Sequence, residues 1–247
     1  MPYAKFNVPN DYFQFQQFRI EQGACAMKVS TDACLLGAAL DLSGATRLLD
    51  IGTGTGLLAL MAAQRHPTVE IEAVEIDEAA ASQAAANAAA SPWPTRIQVR
   101  ALSLAQFAAT RPAPFSHLVC NPPFFGNSWP SANAARRTAR HVSDASLSFE
   151  ELTAFAAGFL TLSGTLTVLL PPPEMARFEL VAPAAGLSLL ARVLVRHRPG
   201  GRVTREISCF GRTDRAMTET ELVIHSETGS EYSPQFQKLL AGFYLAL

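Results

Sequence analysis

Cysteine, charge and long apolar runs are all scarce in this chain of 247 residues. The four cysteines, Cys25, Cys34, Cys120 and Cys209, are scattered, with no C-x-x-C pair and no histidine cluster beside them. That spacing excludes a zinc framework and a disulfide scaffold, and it leaves reduced, buried thiols of a cytoplasmic protein as the expectation. No apolar run is long enough to span a bilayer, so no membrane association is expected. The stretch Met1 to Asn10 lacks a charged region followed by an apolar core, so no signal peptide is expected either. Repeats of fixed period are absent, and there is no G-x-S-x-G elbow to support a hydrolase triad. Charged residues make up 17% and hydrophobic residues 49%, a folded and rather apolar composition.

What is present is an alternation of strand and helix signals. Short apolar strands are predicted at Arg47 to Ile51, Glu70 to Glu75, Arg96 to Ala101, Phe115 to Cys120, Gly164 to Leu170, Ser188 to Arg196, Glu206 to Arg212 and Thr220 to His225. Between them, helices are predicted at Gly56 to Arg65, over the alanine-rich piece Glu78 to Ala90, and at Phe149 to Leu160. Pro92 and Pro94 follow the alanine helix and stop it, and Pro234 to Leu245 reads as a closing helix. Such alternation predicts an α/β fold with a mostly parallel sheet covered by helices on both faces. Residues 1–40 stand outside the pattern as an extension, a hairpin over Tyr12 to Ile20 and a helix from about Thr31, ahead of a main domain at 41–247. Phe13, Phe15 and Phe18 in that hairpin read as packing residues rather than platforms for a base. The segment Gly126 to Asp144 is polar, without period, and expected to be a mobile loop.

The strongest local signal is Leu48-Leu49-Asp50-Ile51-Gly52-Thr53-Gly54-Thr55-Gly56-Leu57. An apolar strand runs into three alternating glycines and then a helix. Glycine allows the tight turn and lets a ligand touch the backbone, and the helix start adds free N–H groups. Glu75, at the end of the next strand, can accept hydrogen bonds from both ribose hydroxyls of a nucleoside. Two ligands suit the loop. Gly54 to Ala59 fits the G-x-G-x-x-G/A fingerprint of a dinucleotide. Asp50, by contrast, would repel a pyrophosphate and would suit the ammonium of a methionine moiety, as in S-adenosylmethionine.

A second motif follows another apolar strand: Asn121-Pro122-Pro123-Phe124. An exocyclic amine on a base is a poor nucleophile because its lone pair is conjugated into the ring. The Asn121 side-chain oxygen and the Pro122 carbonyl can both accept hydrogen bonds from that amine, which fixes the nitrogen and favours its pyramidal form. The prolines, Pro122 and Pro123, stiffen the loop, and Phe124 offers a face for the base to stack on. On consecutive α/β elements, the two motifs point to methyl transfer from S-adenosylmethionine to a nucleobase amine, with S-adenosylhomocysteine as product. That displacement needs neither a metal nor a strong general base. A dinucleotide-dependent oxidoreductase is the competing class.

Net charge is −1, but its distribution is uneven. Between 192 and 215 stand seven arginines against Glu206 and Asp214, and Arg136, Arg137 and Arg140 form a second cluster. Either a phosphate-binding face or a salt-bridged surface fits. On the first reading, Arg196, Arg198 and Arg202, with Arg136, Arg137 and Arg140, would contact RNA.

In order along the chain, Phe13-Gln14-Phe15-Gln16-Gln17-Phe18, Cys25-Ala26-Met27-Lys28-Val29-Ser30-Thr31-Asp32, the Asp50 loop, Val74-Glu75-Ile76-Asp77, Ser91-Pro92-Trp93-Pro94, Asn121-Pro122-Pro123-Phe124 and Phe243-Tyr244-Leu245 resemble the bacterial valine-tRNA (adenine-N6)-methyltransferases. The resemblance spans nearly the whole chain. It implies a class I methyltransferase fold with a Rossmann-like, seven-stranded sheet and an N-terminal extension that closes over the cofactor. It also implies that Lys28, Thr31 and Asp32 lie near that lid. Asp50, Gly52, Gly54, Gly56, Glu75 and Ile76 would hold S-adenosylmethionine, with Asn121 beside it. Asn121 to Phe124 would hold the adenine next to the anticodon, flipped from its stack. The implied partner is tRNA, with no obligate protein partner. Two departures stand out. Ala101-Leu102-Ser103 occupies the place where such enzymes usually carry an acid for the cofactor's adenine amine, leaving Ser103 or backbone to serve. Phe124 stands where tyrosine is more frequent. Phenylalanine also occurs there in ribosomal guanine-N2 methyltransferases, and protein glutamine methyltransferases share the motif, so both substrates are alternatives.

Overall fold

The computed structural model describes residues 11–25, 27–122, 147–213 and 216–246. The expected loop at Gly126 to Asp144, with Arg136, Arg137 and Arg140, lies outside them, as do Pro123 and Phe124.

A two-stranded antiparallel hairpin, β1 (Tyr12–Gln14) and β2 (Arg19–Glu21), precedes helix α1 (Thr31–Ala39). Ser30 caps α1 by accepting a hydrogen bond from the Ala33 N–H. The sheet then takes β3 (Arg47–Ile51), β4 (Glu70–Glu75), β5 (Ile97–Ala101), β6 (Phe115–Cys120), β7 (Leu160–Leu170), β8 (Ser188–Arg196), β9 (Val203–Gly211) and β10 (Thr218–Val223). Their order is β10-β8-β9-β7-β6-β3-β4-β5, and only β9 runs against the others. The α/β class and its mostly parallel sheet are therefore as expected. The sheet has eight strands rather than the seven implied by the resemblance. The additional one is the edge strand β10, which pairs in parallel with β8.

Alternation along each strand splits the core into two clusters. Leu48, Val119 and Leu169 face one side of the sheet, while Leu49, Leu118, Cys120 and Val168 face the other. Helices α1, α2 (Leu57–Arg65), α3 (Glu78–Ala89) and α7 (Pro234–Leu240) contribute to the first side. Helices α4 (Leu104–Ala109), α5 (Phe149–Phe159) and α6 (Pro172–Val181) contribute to the second. Two of these, α4 and α6, lie outside the sequence expectations. Pro171-Pro172-Pro173 reads as a breaker, yet it falls at the N-cap and first turn of α6, where a missing N–H costs nothing. Short α4 rests on a capping box, Ser103 with Gln106. The closing helix ends at Leu240, one and a half turns before the predicted end.

The extension is built into the first core cluster. Phe15, Phe18 and Ile20 are buried there with Leu35, Leu48 and Phe236. The Gln16 N–H donates to the Phe243 carbonyl and its side-chain amide to the Ala241 carbonyl, at 2.8 Å each, so the hairpin is tied to the residues after α7. Phe13, Phe15 and Phe18 are packing residues, as expected: Phe15 and Phe18 stack at 4.6 Å, and Phe18 meets the edge of Trp93. Among the described residues no helix is long and apolar enough to cross a membrane.

Because Phe15 is fully buried in a core shared with the sheet, Phe15→Ala should destabilise the whole chain by about 3–5 kcal/mol. Urea unfolding followed by circular dichroism should show one transition shifted to lower denaturant. A separate early transition, with the main one unmoved, would show that the hairpin is an independent unit.

Candidate active site

Parallel pairing of β3 with β6 matches Asp50 with Val119 and Ile51 with Cys120. The next residues, Gly52 and Asn121, therefore leave the sheet side by side, with backbones about 5 Å apart. Here the chain order of the sheet reverses, since β4 and β5 lie to one side of β3 and β6 and β7 to the other. Crevices at such points are where open α/β sheets bind ligands.

The glycine loop is held by a small number of hydrogen bonds. Gly52 and Thr53 donate their N–H groups to the Val74 carbonyl at 2.9 and 3.0 Å. Gly52, Gly54 and Gly56 have φ of 70°, 54° and 84°, which disfavours any side chain. A Cβ at Gly52 or Gly54 would meet nothing within 4 Å, so the turn borders open space. Gly56 differs, because a Cβ there would sit 3.4 Å from the Ala84 side chain on α3. The first two glycines serve a surface that a ligand can touch, and the third serves helix packing.

Asp50 is fully buried. Its Oδ2 accepts from the Thr53 hydroxyl at 2.5 Å and from the Ala59 N–H at 3.2 Å. Ala59 is in the first turn of α2, whose N-cap, Gly56, has no side chain to offer. Asp50 thus caps that helix from the neighbouring strand, a stabilising place for a carboxylate. Its Oδ1 is buried and has no hydrogen-bond partner among the described residues. Burial pushes the carboxyl up to about 7, against the hydrogen bonds from Thr53 and Ala59.

Glu75 ends β4 and faces the same loop. Its Oε2 accepts from the Gly54 N–H at 2.9 Å and its Oε1 from the Asp77 N–H at 3.1 Å. Each oxygen keeps a further lone pair for a ligand hydroxyl. Ile76 beside it is 52% exposed, an apolar surface left open at the mouth of the loop. Ser103 is the N-cap of α4, with its Oγ accepting from the Gln106 N–H at 3.1 Å. What it retains for a ligand is its hydroxyl proton and one lone pair. Asn121 follows β6 directly, and its Oδ1 is buried without a hydrogen-bond partner among the described residues. Pro122 is buried beside it. Two orphaned carboxyl-type oxygens, on Asp50 and Asn121, thus come from the adjoining ends of β3 and β6. Buried acceptors normally find donors, so such a pair marks a place where a ligand supplies them.

The extension packs against α3, where the Glu21 N–H donates to Asn87 and the Ala24 N–H to Gln83. Burial, then the charges of Glu75 and Asp77, push the Cys25 thiol up to about 11. Lys28 is half-exposed, 4.0 Å from Asp11. Thr31 is exposed in the first turn of α1. Asp32 is taken by Arg205 of β9 at 2.8 Å.

The arginines at 192–205 are largely spoken for. Arg192 meets Glu179, Glu206 and Glu219; Arg196 meets Glu221 at 2.7 Å; Arg205 meets Asp32. Arg198 donates to the Ser226 and Gly229 carbonyls at 3.0 and 2.7 Å, which leaves its charge uncompensated by those contacts. Arg202 is exposed. Because β8 ends and β9 begins at the edge where Cys120 and Leu170 end, the tip carrying Arg198 and Arg202 rises on the same side as Asn121. No three His, Cys, Asp or Glu side chains come together as a metal site among the described residues.

Sequence reasoning missed two residues of this site. Thr53 is the hydroxyl that locks Asp50, and Asn87, buried on α3, hydrogen-bonds the Thr55 carbonyl at 2.9 Å. The available signal for Asn87 was a poor helix former inside an alanine run.

Residues 23–168 match the methyltransferase small domain family. The chain is 41% identical to a tRNA1(Val) (adenine(37)-N6)-methyltransferase of Pseudoalteromonas translucida, over 95% of this chain and 99% of that one. It is 38% identical to proteins of the same description from Dyadobacter fermentans, over 96% and 98%, and from Yersinia pestis, over 94% and 93%. Among solved structures, a predicted O-methyltransferase of Agrobacterium tumefaciens superposes with a TM-score of 0.64 at 22% identity, covering 86% of this chain and 96% of that one. The ribosomal protein L11 methylase of Lactobacillus delbrueckii gives 0.56 at 16%, covering 79% and 84%. These two likenesses carry the class I methyltransferase fold. With a strand-end acid, a glycine turn and Asn121 gathered at one sheet edge, and with relatives matched along nearly their full length, this chain belongs to the tRNA1(Val) (adenine(37)-N6)-methyltransferase family.

Proposed function

We propose that this protein transfers a methyl group from S-adenosylmethionine to the N6 amine of the adenosine next to the anticodon of valine tRNA. The carrying observation is the buried, unpartnered Asn121 Oδ1 beside the glycine turn. An NH₂ donor is what this oxygen lacks, and an adenine amine supplies one. The residues also fit the cofactor. Asp50 keeps one unpartnered carboxylate oxygen, which suits an ammonium and opposes a pyrophosphate. Glu75 suits ribose hydroxyls, Ile76 and Ser103 suit the adenine, and the open mouth at Gly52 and Gly54 admits a ligand to the backbone. In this reading Lys28 and Thr31 serve the cofactor from the extension. When bound, S-adenosylmethionine supplies an electrophilic methyl group.

The protein's part is to hold and to orient. Asn121 Oδ1 and the Pro122 carbonyl accept from the amine, fix its nitrogen and draw its lone pair out of conjugation. Pro122 and Pro123 keep that turn rigid, and Phe124 stacks on the base. No general base is required, because the methylated ammonium loses its proton to water. Arg198 and Arg202, with Arg136, Arg137 and Arg140, engage phosphates flanking the target nucleotide, whereas Arg196 is already held by Glu221. From Asn121 to the β8–β9 tip is two to three strands, roughly 10–15 Å, the reach of a few nucleotides.

The direct test is incubation of the protein with labelled S-adenosylmethionine and total tRNA, followed by mapping of the labelled nucleoside. N6-methyladenosine next to the anticodon of valine tRNA is expected. Label confined to a guanine of ribosomal RNA or to a protein glutamine would replace this reading. Asn121→Ala should keep cofactor affinity within about twofold and lower kcat by roughly 10²- to 10³-fold; an unchanged kcat would remove Asn121 from the chemistry.

Asp50 gives cofactor binding a pH dependence. Its carboxyl, raised to about 7, is largely neutral below that value, whereas the ligand's ammonium group needs the carboxylate. Binding therefore expels a proton at low pH. Affinity for S-adenosylhomocysteine should rise about tenfold per pH unit up to about 7 and level off above it. Calorimetry across pH 5.5 to 8 checks this. Asn at position 50 can still accept from Ala59, so Asp50→Asn should flatten the profile without losing the helix cap. A slope that survives the substitution would place the titrating group elsewhere.

A further inference from the structure

Asn87 lies at the end of α3, far along the helix from Glu75, and is 2% exposed. Its Oδ1 accepts from the Glu21 N–H at 2.9 Å. Its Nδ2 donates to the Glu21 carbonyl at 2.8 Å and to the Thr55 carbonyl at 2.9 Å. One carboxamide thus closes a two-point bridge with the last residue of β2, and with its remaining hydrogen grips the glycine loop. Both amide hydrogens and the oxygen are engaged, so the side chain has one fixed orientation.

Its surroundings make this grip short and stiff. Ala80, Ala81, Ala84 and Ala88 line the same buried stripe of α3, and Ala84 lies against Gly56. One turn before Asn87, Gln83 accepts from the Ala24 N–H at 3.2 Å. Further on, buried Gln22 accepts from the Val29 N–H at 2.9 Å and shapes the loop that carries Cys25 and Lys28. Residue 21 is therefore where the chain leaves β2 for the loop that carries Cys25 and Lys28, and Asn87 fixes where that loop begins.

We infer that Asn87 is a positioning residue for cofactor binding: it couples the N-terminal extension to the glycine loop so that the two close on S-adenosylmethionine as one wall. The inference rests on the assignment of that loop to S-adenosylmethionine. Asn87 acts through Glu21 and Thr55 and touches no reacting atom.

The test uses the full chain and three measurements: hydrogen exchange by mass spectrometry without ligand, S-adenosylhomocysteine affinity by calorimetry, and steady-state kinetics with tRNA. Asn87→Asp keeps the acceptor for the Glu21 N–H but turns the donor into an oxygen facing two carbonyls. Exchange over residues 21–30 should quicken at least tenfold while the strands β3, β4 and β6 are unchanged. S-adenosylhomocysteine affinity should fall about tenfold or more, and KM for tRNA at saturating cofactor should move less than twofold. Gln83→Ala, half-exposed on a helix that favours alanine, covers the case in which the first variant fails to fold; it should quicken the same segment to a smaller degree and weaken affinity in the same direction. Faster exchange spread over the whole sheet, or affinity equal to that of the parent, would reduce Asn87 to a packing residue. Failure of the parent itself to bind S-adenosylhomocysteine would overturn the function proposed above. The ligand-free exchange pattern would still decide whether the clamp exists.

Discussion

Everything chemical in this molecule follows from β3 and β6 being neighbours in parallel register. The glycine turn and Asn121 are separated by more than sixty residues of chain, and neither can form a site alone. Pairing Ile51 with Cys120 brings the two loops out of the sheet together. The cost of holding polar atoms in that crevice is visible. A carboxylate and a carboxamide are buried, each with an oxygen that no described residue satisfies. The surrounding sheet, buried on both faces, is what keeps them there. A looser scaffold would let those oxygens turn to water or to a neighbouring N–H group.

Much of this was legible in the sequence. Short apolar runs at β3, β4 and β6, the glycine spacing and the Asn-Pro-Pro run are local signals that need no tertiary information. What was hidden depended on partners distant in the chain. Asp50 reads as a ligand for a cation, yet half of it caps a helix whose own cap position is a glycine. Ser103 reads as a substitute cofactor ligand, yet its first task is to start α4. The triple proline before α6 reads as an interruption because a helix start and a helix break look alike in composition. Strand β10, one more than the resemblance implied, was marked by its own alternation. Its place beside β8 could not be read from spacing.

The charge pattern shows the same limit. Seven arginines in a short stretch fit a phosphate-binding face and a salt-bridged surface equally well in the sequence. In the fold, Arg192, Arg196 and Arg205 lie on β8 and β9, and Glu179, Glu206, Glu219, Glu221 and Asp32 neutralise these three. The acids come from a helix, two strands and the extension, and of these pairs only Arg192 with Glu206 lies inside the stretch itself. Arg192 in particular is a tie between α6 and three strands. Arg198 and Arg202 stand at the β8–β9 tip, on the same side as the reactive edge.

The junction between the hairpin and the residues after α7 bears on how the chain is made. Gln16 is bound to Ala241, 225 positions later. A ribosome adding about 5–20 residues per second takes roughly 10–45 seconds to cover that interval. Through all of it Phe13 and Phe15 have been synthesised without Tyr244, whose ring finally packs against both, although Phe18 gains Trp93 far earlier. The first aromatic cluster to emerge is among the last to find its place, and the nascent protein carries that exposed surface until translation is nearly complete.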